Sequence, residues 1–158
     1  MKPEWHSLQR CHIARESYFD VIEEGKKFLH EHWEELSLYP DIPLEPEYEF
    51  YEVLAKNNLL AIYTVRVQGE MVGYAVYFIR KHYHYASTKW AFGDIILVRK
   101  PYRKFGLGTA LFDFIENDLR SEGVAVINTE TKIMHPELAM LLRARGHKEA
   151  TLGFSKRL

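Results

Sequence analysis

The sequence contains one cysteine, Cys11, which excludes an internal disulfide and a zinc site built on several thiolates. That usage suits a reducing compartment, and the expected location is cytoplasmic. Excess charge of either sign is also missing. Lys and Arg number 21 against 22 Asp and Glu, a formal net charge of −1, so no global field draws the chain to nucleic acid or to an anionic membrane. Neither is expected as a partner. No apolar run approaches the roughly 18 residues of a spanning helix, and residues 1–10 lack the apolar core of a signal peptide. Gly/Ser linkers, repeats and low-complexity tracts are absent too, so residues 1–158 read as a single domain. What is present is 47% apolar and 14% aromatic residues over 158 positions. At that length one core buries roughly 68–70% of the surface of the extended chain.

Apolar spacing divides the chain into elements. Residues 14–33 place Tyr18, Val21, Ile22, Gly25, Phe28, Leu29 and His32 on one helical face. After a proline-bearing loop, residues 46–57 repeat the pattern through Tyr48, Tyr51, Val53 and Leu54. Residues 59–67 and 71–83 are rich in Val, Ile, Tyr and Phe and are joined through Gln68-Gly69-Glu70, a hairpin signature. Residues 91–98 read as a further strand. A helix carrying Leu107, Leu111, Phe114, Ile115 and Leu119 follows, closed by Gly123. Residues 124–131 read as a strand, Pro136 opens a helix with Leu138, Leu141 and Leu142, and Gly146 suits its C-terminal cap. Residues 147–158 are expected to add one or two short strands. The result is an α/β domain with a mixed sheet, in which an antiparallel half precedes a right-handed crossover between parallel strands.

Chemistry concentrates at Arg103-Lys104-Phe105-Gly106-Leu107-Gly108-Thr109, between a strand and a helix. Glycine there lets backbone approach a ligand without Cβ interference. The free amides and the positive dipole end of a helix start make an anion site suited to a pyrophosphate. Arg99, Lys100, Arg103 and Lys104 add four cations. No Gly-Lys-Ser/Thr follows, so this is not a Walker loop, and the third glycine of a dinucleotide fingerprint is missing.

Those residues carry a resemblance. Val98, then Pro101-Tyr102-Arg103-Lys104-Phe105-Gly106-Leu107-Gly108, with Leu111 and Phe112 beyond, resembles motif A of the GNAT N-acetyltransferases, Arg/Gln-x-x-Gly-x-Gly/Ala. The element order β-α-α-β-β-β-α-β-α-β(-β) is also similar to that fold. The C-terminal Phe154-Ser155-Lys156-Arg157-Leu158 resembles endings of small bacteriophage members. The resemblance implies acetyl-coenzyme A as co-substrate and no metal. It implies that Arg103, Lys104, Phe105, Gly106, Leu107, Gly108 and Thr109 cradle the pyrophosphate, and that the pantetheine arm pairs with the backbone of Ile96, Leu97 and Val98. A primary amine, on a small molecule or a protein, then attacks the thioester directly in a ternary complex.

One departure stands out. The family often carries a proton-donating tyrosine four residues before the last helix's glycine, and here that position is Leu142. His135, at the start of that helix, either contacts the pantetheine, relays a proton or caps and packs the helix. Asp94 is the first candidate for the base that deprotonates the amine; strict alternation puts it on one face with Ile96 and Val98, and desolvation is expected to raise its pKa. A structural, hydrogen-bonded Asp94 is the competing reading, with Glu130 as reserve base or exposed strand-end charge. His82-Tyr83-His84-Tyr85 puts two imidazoles on one expected strand face. Without an acidic or cysteine ligand at local spacing, a solvated or substrate-lining surface is the expectation rather than a metal pair. Rings around Trp33, Tyr39, Tyr48, Phe50 and Tyr51 are core or acceptor-site walls. Three functions stay open: an acetyl-coenzyme A-dependent N-acetyltransferase, a coenzyme A-binding module acting through a protein partner, and a nucleotide-binding regulator. The sequence leaves the oligomeric state, a homodimer included, and the acceptor unread.

Overall fold

The structure, a computed structural model, describes residues 11–158. Five strands form one sheet in the order β1 (Cys11–Glu16), β2 (Leu60–Val67), β3 (Glu70–His82), β4 (Tyr85–Val98) and β5 (Val124–Asn128). The first four run antiparallel to their neighbours and β5 lies parallel to β4. Helices α1 (Tyr18–Leu36) and α2 (Tyr48–Lys56) cover one face. The other face carries α3 (Leu107–Ser121), with α4 (Pro136–Ala144) against it.

Helical periodicity explains α3. Leu107, Leu111, Ile115 and Leu119 recur at four-residue steps and are buried against Val65, Val72, Ala75 and Tyr77 of the sheet. Each such side chain contributes roughly 1.5–3 kcal/mol by leaving water. On the opposite face Tyr18 and Val21 of α1 pack with Ile62, Met71, Tyr74, Val76 and Leu97.

The structure departs from the sequence reading in four places. Residues 11–16, which overlap the expected first helix, are a strand, because Ser17 caps α1: its hydroxyl accepts from the Phe19 amide. The helix therefore starts at Tyr18. The β3–β4 hairpin is longer than expected and turns at Tyr83-His84, so His82 and His84 do not share a strand face. The His84 amide instead donates to the His82 ring at 3.1 Å, and no metal-ligand cluster occurs among the described residues. The fifth strand stops at Asn128 rather than at 131, and residues 147–158 form no strand. That tail is held by side chains: Ser155 shares a hydrogen bond with Tyr39 at 2.8 Å, and Arg157 pairs with Asp41.

Candidate active site

Two features of β4 build the site. The last residue pair between β4 and β5 is Phe92 with Asn128. Beyond it β4 continues to Val98, paired with β3 on one edge and, among the described residues, with no strand on the other, so Ile96, Leu97 and Val98 border an open wedge on the β5 side. Just where the wedge opens, Val76 pairs with Ile95 and Tyr77 with Gly93, which leaves Asp94 as an extra, bulged residue. Gly93 keeps the approach to Tyr77 and Asn128 close. A Cβ on it would come within 3.3 Å of the Tyr77 ring and 3.5 Å of the Asn128 carbonyl.

The bulge corrects an expectation. Ile96 and Val98 pack on the α3 side of the sheet, whereas Asp94 points to the α1/α2 side, where the Tyr51 hydroxyl of α2 donates to its Oδ2 at 2.7 Å. Strict alternation fails because the extra residue reverses the phase of the strand. Asp94 is exposed to solvent, yet protein crowds its carboxyl closely enough that burial pushes its pKa above the ordinary value, with the Tyr51 hydrogen bond pulling the other way. A group at once surrounded and reachable is what a cleft wall presents. Glu130 follows Thr129, whose Cα lies close to Gly93, and so stands at the mouth of the wedge on the opposite arm. It is exposed.

At the far end of β4 the chain turns through a 3-10 helix, Lys100–Phe105, into α3. Gly106 at the junction has φ 73°, ψ 6°, the left-handed conformation. No side chain caps α3, and Ala110 is the first residue whose amide bonds back, to the Gly106 carbonyl at 3.0 Å. The amides of Leu107, Gly108 and Thr109 therefore lack helical partners. Nothing lies within 4 Å of a Cβ placed on Gly106. The turn thus presents free amides, open space and the positive end of the helix dipole, the features an anion site requires.

The cations around it are less available than the sequence implied. Arg103 donates from Nε to the Val98 carbonyl at 2.6 Å and forks onto both carboxylate oxygens of Glu35, on α1, at 2.7 and 2.8 Å. Lys100 lies 3.8 Å from the same carboxylate, and Arg99 pairs with Glu31 and Glu70. Glu35, 11% exposed in its side chain, has its pKa lowered by the Arg103 hydrogen bonds. Lys104 alone of the four is unpaired and exposed. Sequence reasoning missed Glu35, and no local pattern marks it, because its partner is 68 residues away.

Residues 10–146 match the family model of the acetyltransferase (GNAT) family. The chain belongs to the GNAT acetyltransferase family. No curated protein matches the sequence. Among solved structures, an aminoglycoside acetyltransferase from an uncultured soil metagenomic sample, in complex with trehalose, superposes with a TM-score of 0.74 at 14% identity, covering 95% of this chain and 97% of that one. Aminoglycoside N-acetyltransferase AAC(6')-Iy in complex with CoA gives 0.73 at 18% identity, with 94% of each chain covered. A ribosomal-protein-alanine N-acetyltransferase from Brucella melitensis gives 0.71 at 16%, covering 94% and 99%. At these identities the likeness is one of fold.

Within this GNAT chain the acid end of the site is unusual. Leu142 is 7% exposed and packed in the core, so no hydroxyl stands at that position. His135 is the N-cap residue of α4 but makes no capping hydrogen bond. Its Nε2 lies 3.1 Å from the Glu35 carbonyl oxygen; a carbonyl can only accept, so Nε2 carries the proton. The ring thus ties α4 to the end of α1, and the capping expectation is corrected. Another histidine, His32, is buried beneath α1, shares a hydrogen bond with the Tyr74 hydroxyl at 2.8 Å, and has its pKa lowered by burial to about 4. It is neutral at physiological pH.

Proposed function

We propose that this chain transfers acetyl from acetyl-coenzyme A to a primary amine by direct attack, with Asp94 receiving the amine's proton. The observation that carries the reading is the alignment along β4 of three parts: the bulged carboxylate, the strand edge left open by β5, and the uncapped α3 terminus. The residues fit the donor. The amides of Leu107, Gly108 and Thr109, with Lys104, hold the pyrophosphate, and Ile96 to Val98 offer a backbone edge to an extended amide-bearing arm. When bound, the donor supplies an acyl group activated as a thioester.

An ammonium ion cannot attack, so the first task of the chain is to remove a proton. Asp94 suits that task because burial raises its basicity while solvent contact lets the proton leave. The amine nitrogen then bonds to the acetyl carbon, the carbon–sulfur bond breaks, the sulfur leaves as a thiolate, and the proton that the nitrogen sheds in becoming an amide passes to water. With Leu142 apolar and His135 held by the Glu35 carbonyl, we assign the thiolate's proton to water. No metal enters this scheme. We place the reaction in a reducing cytoplasm, where Cys11 stays a thiol.

Asp94→Asn tests the reading, since the amide is nearly isosteric and cannot accept the proton. Turnover is expected to fall by about 10²–10⁴-fold with donor affinity nearly unchanged. Wild-type turnover in that variant would move the base to Glu130 or to solvent. Buried, apolar Leu142 favours a second reading, a coenzyme A-binding module without efficient turnover. Donor binding with no thiol release against a broad amine panel would establish it.

A further inference from the structure

Beside Asp94 lies a second groove, between α2 and the outer part of the β3–β4 hairpin. It encloses about 460 Å³, part of it open to solvent, between Phe50, Leu54, Phe78, Ile79, Arg80 and Tyr83. Phe50 and Phe78 form its wall toward the active site, and both rings pack on Tyr51 with centroids 5.9 Å away. Tyr51 is the residue that donates to Asp94. The groove and the candidate base therefore flank one aromatic cluster, across whose exposed edge an extended acceptor would reach from one to the other.

Arg80 is the one charged residue of this groove. Its guanidinium carbon sits 4.0 Å from the Phe92 ring centroid and 4.3 Å from that of Tyr83, held in place by two aromatic rings. Among the described residues, the one hydrogen bond of its side chain goes to the neighbouring Lys81 carbonyl at 3.2 Å. Every other described arginine except Arg120, which bonds Asn117, meets a carboxylate. A fixed, partly desolvated guanidinium without a counter-charge is an anion receptor. Phe92, on which the guanidinium stacks, precedes Asp94 by two residues, so the receptor and the candidate base lie along the same stretch of β4.

We propose that Arg80 anchors an anionic group of the acceptor, which makes the acceptor a primary amine that also carries a carboxylate or phosphate several bonds from its nitrogen. The amine meets Asp94, the intervening carbon skeleton lies along Phe50 and Phe78, and the anion forks onto Arg80. A polycation such as an aminoglycoside would meet the unpaired guanidinium of Arg80 at this end of the site. This assignment rests on the transferase reading above.

The test uses matched amines that differ only in the anion: glucosamine 6-phosphate with glucosamine, and 6-aminohexanoate with hexylamine. Tobramycin is the polycation, and kcat/KM is measured for wild type, Arg80→Gln, Arg80→Lys and Arg120→Gln. Wild type is expected to favour one anionic member at least tenfold, and the pair that shows it tells phosphate from carboxylate. Arg80→Gln should bring that ratio to within about twofold, Arg80→Lys should keep part of it, and Arg120→Gln should match wild type. Equal use of both members by wild type, a preference that survives Arg80→Gln, or tobramycin as the best acceptor would each overturn the assignment. If no amine is acetylated, calorimetry on the coenzyme A-saturated protein decides. An anionic member that binds wild type and not Arg80→Gln upholds the anion site while the transferase reading fails; no binding of either anionic member overturns the site as well.

Discussion

Tyr51→Phe isolates the contact that tempers the basicity burial gives Asp94. The substitution removes one hydroxyl and keeps the ring that packs against Phe50 and Phe78. A hydrogen bond to a charged group is worth about 1.5–3 kcal/mol; because Asp94 is open to solvent on one side, the low end, about 1.5 kcal/mol, applies. At 1.36 kcal/mol per tenfold change that is about one pH unit. Burial already holds the carboxyl above its ordinary value, and the Tyr51 hydroxyl opposes that effect. Removing it must therefore raise the pKa further. The acid limb of the kcat/KM–pH profile should move up by about one unit with the plateau nearly preserved. The sign for stability follows from the same shift. A carboxyl whose folded pKa exceeds its unfolded one destabilises the fold when ionised, and this cost fades as the pH falls through the folded value and is gone below the unfolded one. Tyr51→Phe should accordingly destabilise more at pH 7 than at pH 3, read as urea midpoints. An acid limb that stays in place would show that Asp94 does not titrate in the rate-determining proton transfer.

At Gly106, alanine should cost about 1–2 kcal/mol, because φ is 73° while the space around a Cβ is empty; thermal melts with and without coenzyme A check this, with a smaller ligand-induced rise in the variant. Glu35→Gln should destabilise by about 1–2 kcal/mol at pH 7, a figure discounted from a fully buried pair because Arg103 is 37% exposed. The folded pKa of Glu35 is lowered, so its contribution is present above the unfolded value and lost as the pH falls through the folded one. The variant and wild type should therefore converge in acid.

Periodicity exposed the architecture because most of it is local. The α3 stripe, the Gly69 hairpin and the Gly106 turn each lie within a few residues, so spacing alone marks them. The α1 boundary failed because Ser17, a good capping residue, sits inside a run whose apolar spacing suits a helix; pairing of residues 11–16 with β2 overrides that spacing. The orientation of Asp94 failed for a different reason. A bulge is a two-strand property, visible only when the β3 partners are known, and one extra residue moves a side chain to the other face of the sheet. Tyr51 and Glu35 likewise acquire their roles from partners 43 and 68 residues away. The tail escaped for want of a partner: strand-like residues at 147–158 do not make a strand unless an edge receives them.

The fate of the motif's cations changes what the phosphate turn is. Read as sequence, Arg103 and Lys100 belong to the ligand; in the fold both face the Glu35 carboxylate, and Arg103 spans the Val98 carbonyl and the end of α1. With His135 bonded to the backbone of the same glutamate, the last turn of α1 joins the motif turn to the start of α4. The proposed donor cradle is then chiefly backbone: the amides of Leu107, Gly108 and Thr109, a helix dipole and Lys104. Such a cradle is preorganised, since amides at a helix start cannot rotate away, whereas free arginines would have to be ordered by the ligand. It is also less sensitive to salt than four exposed cations would be, because exposed charges are screened over about 8–10 Å while direct amide hydrogen bonds are not. The ion pairs thus hold α1 over the turn and leave the amides of Leu107, Gly108 and Thr109 free for the anion proposed above.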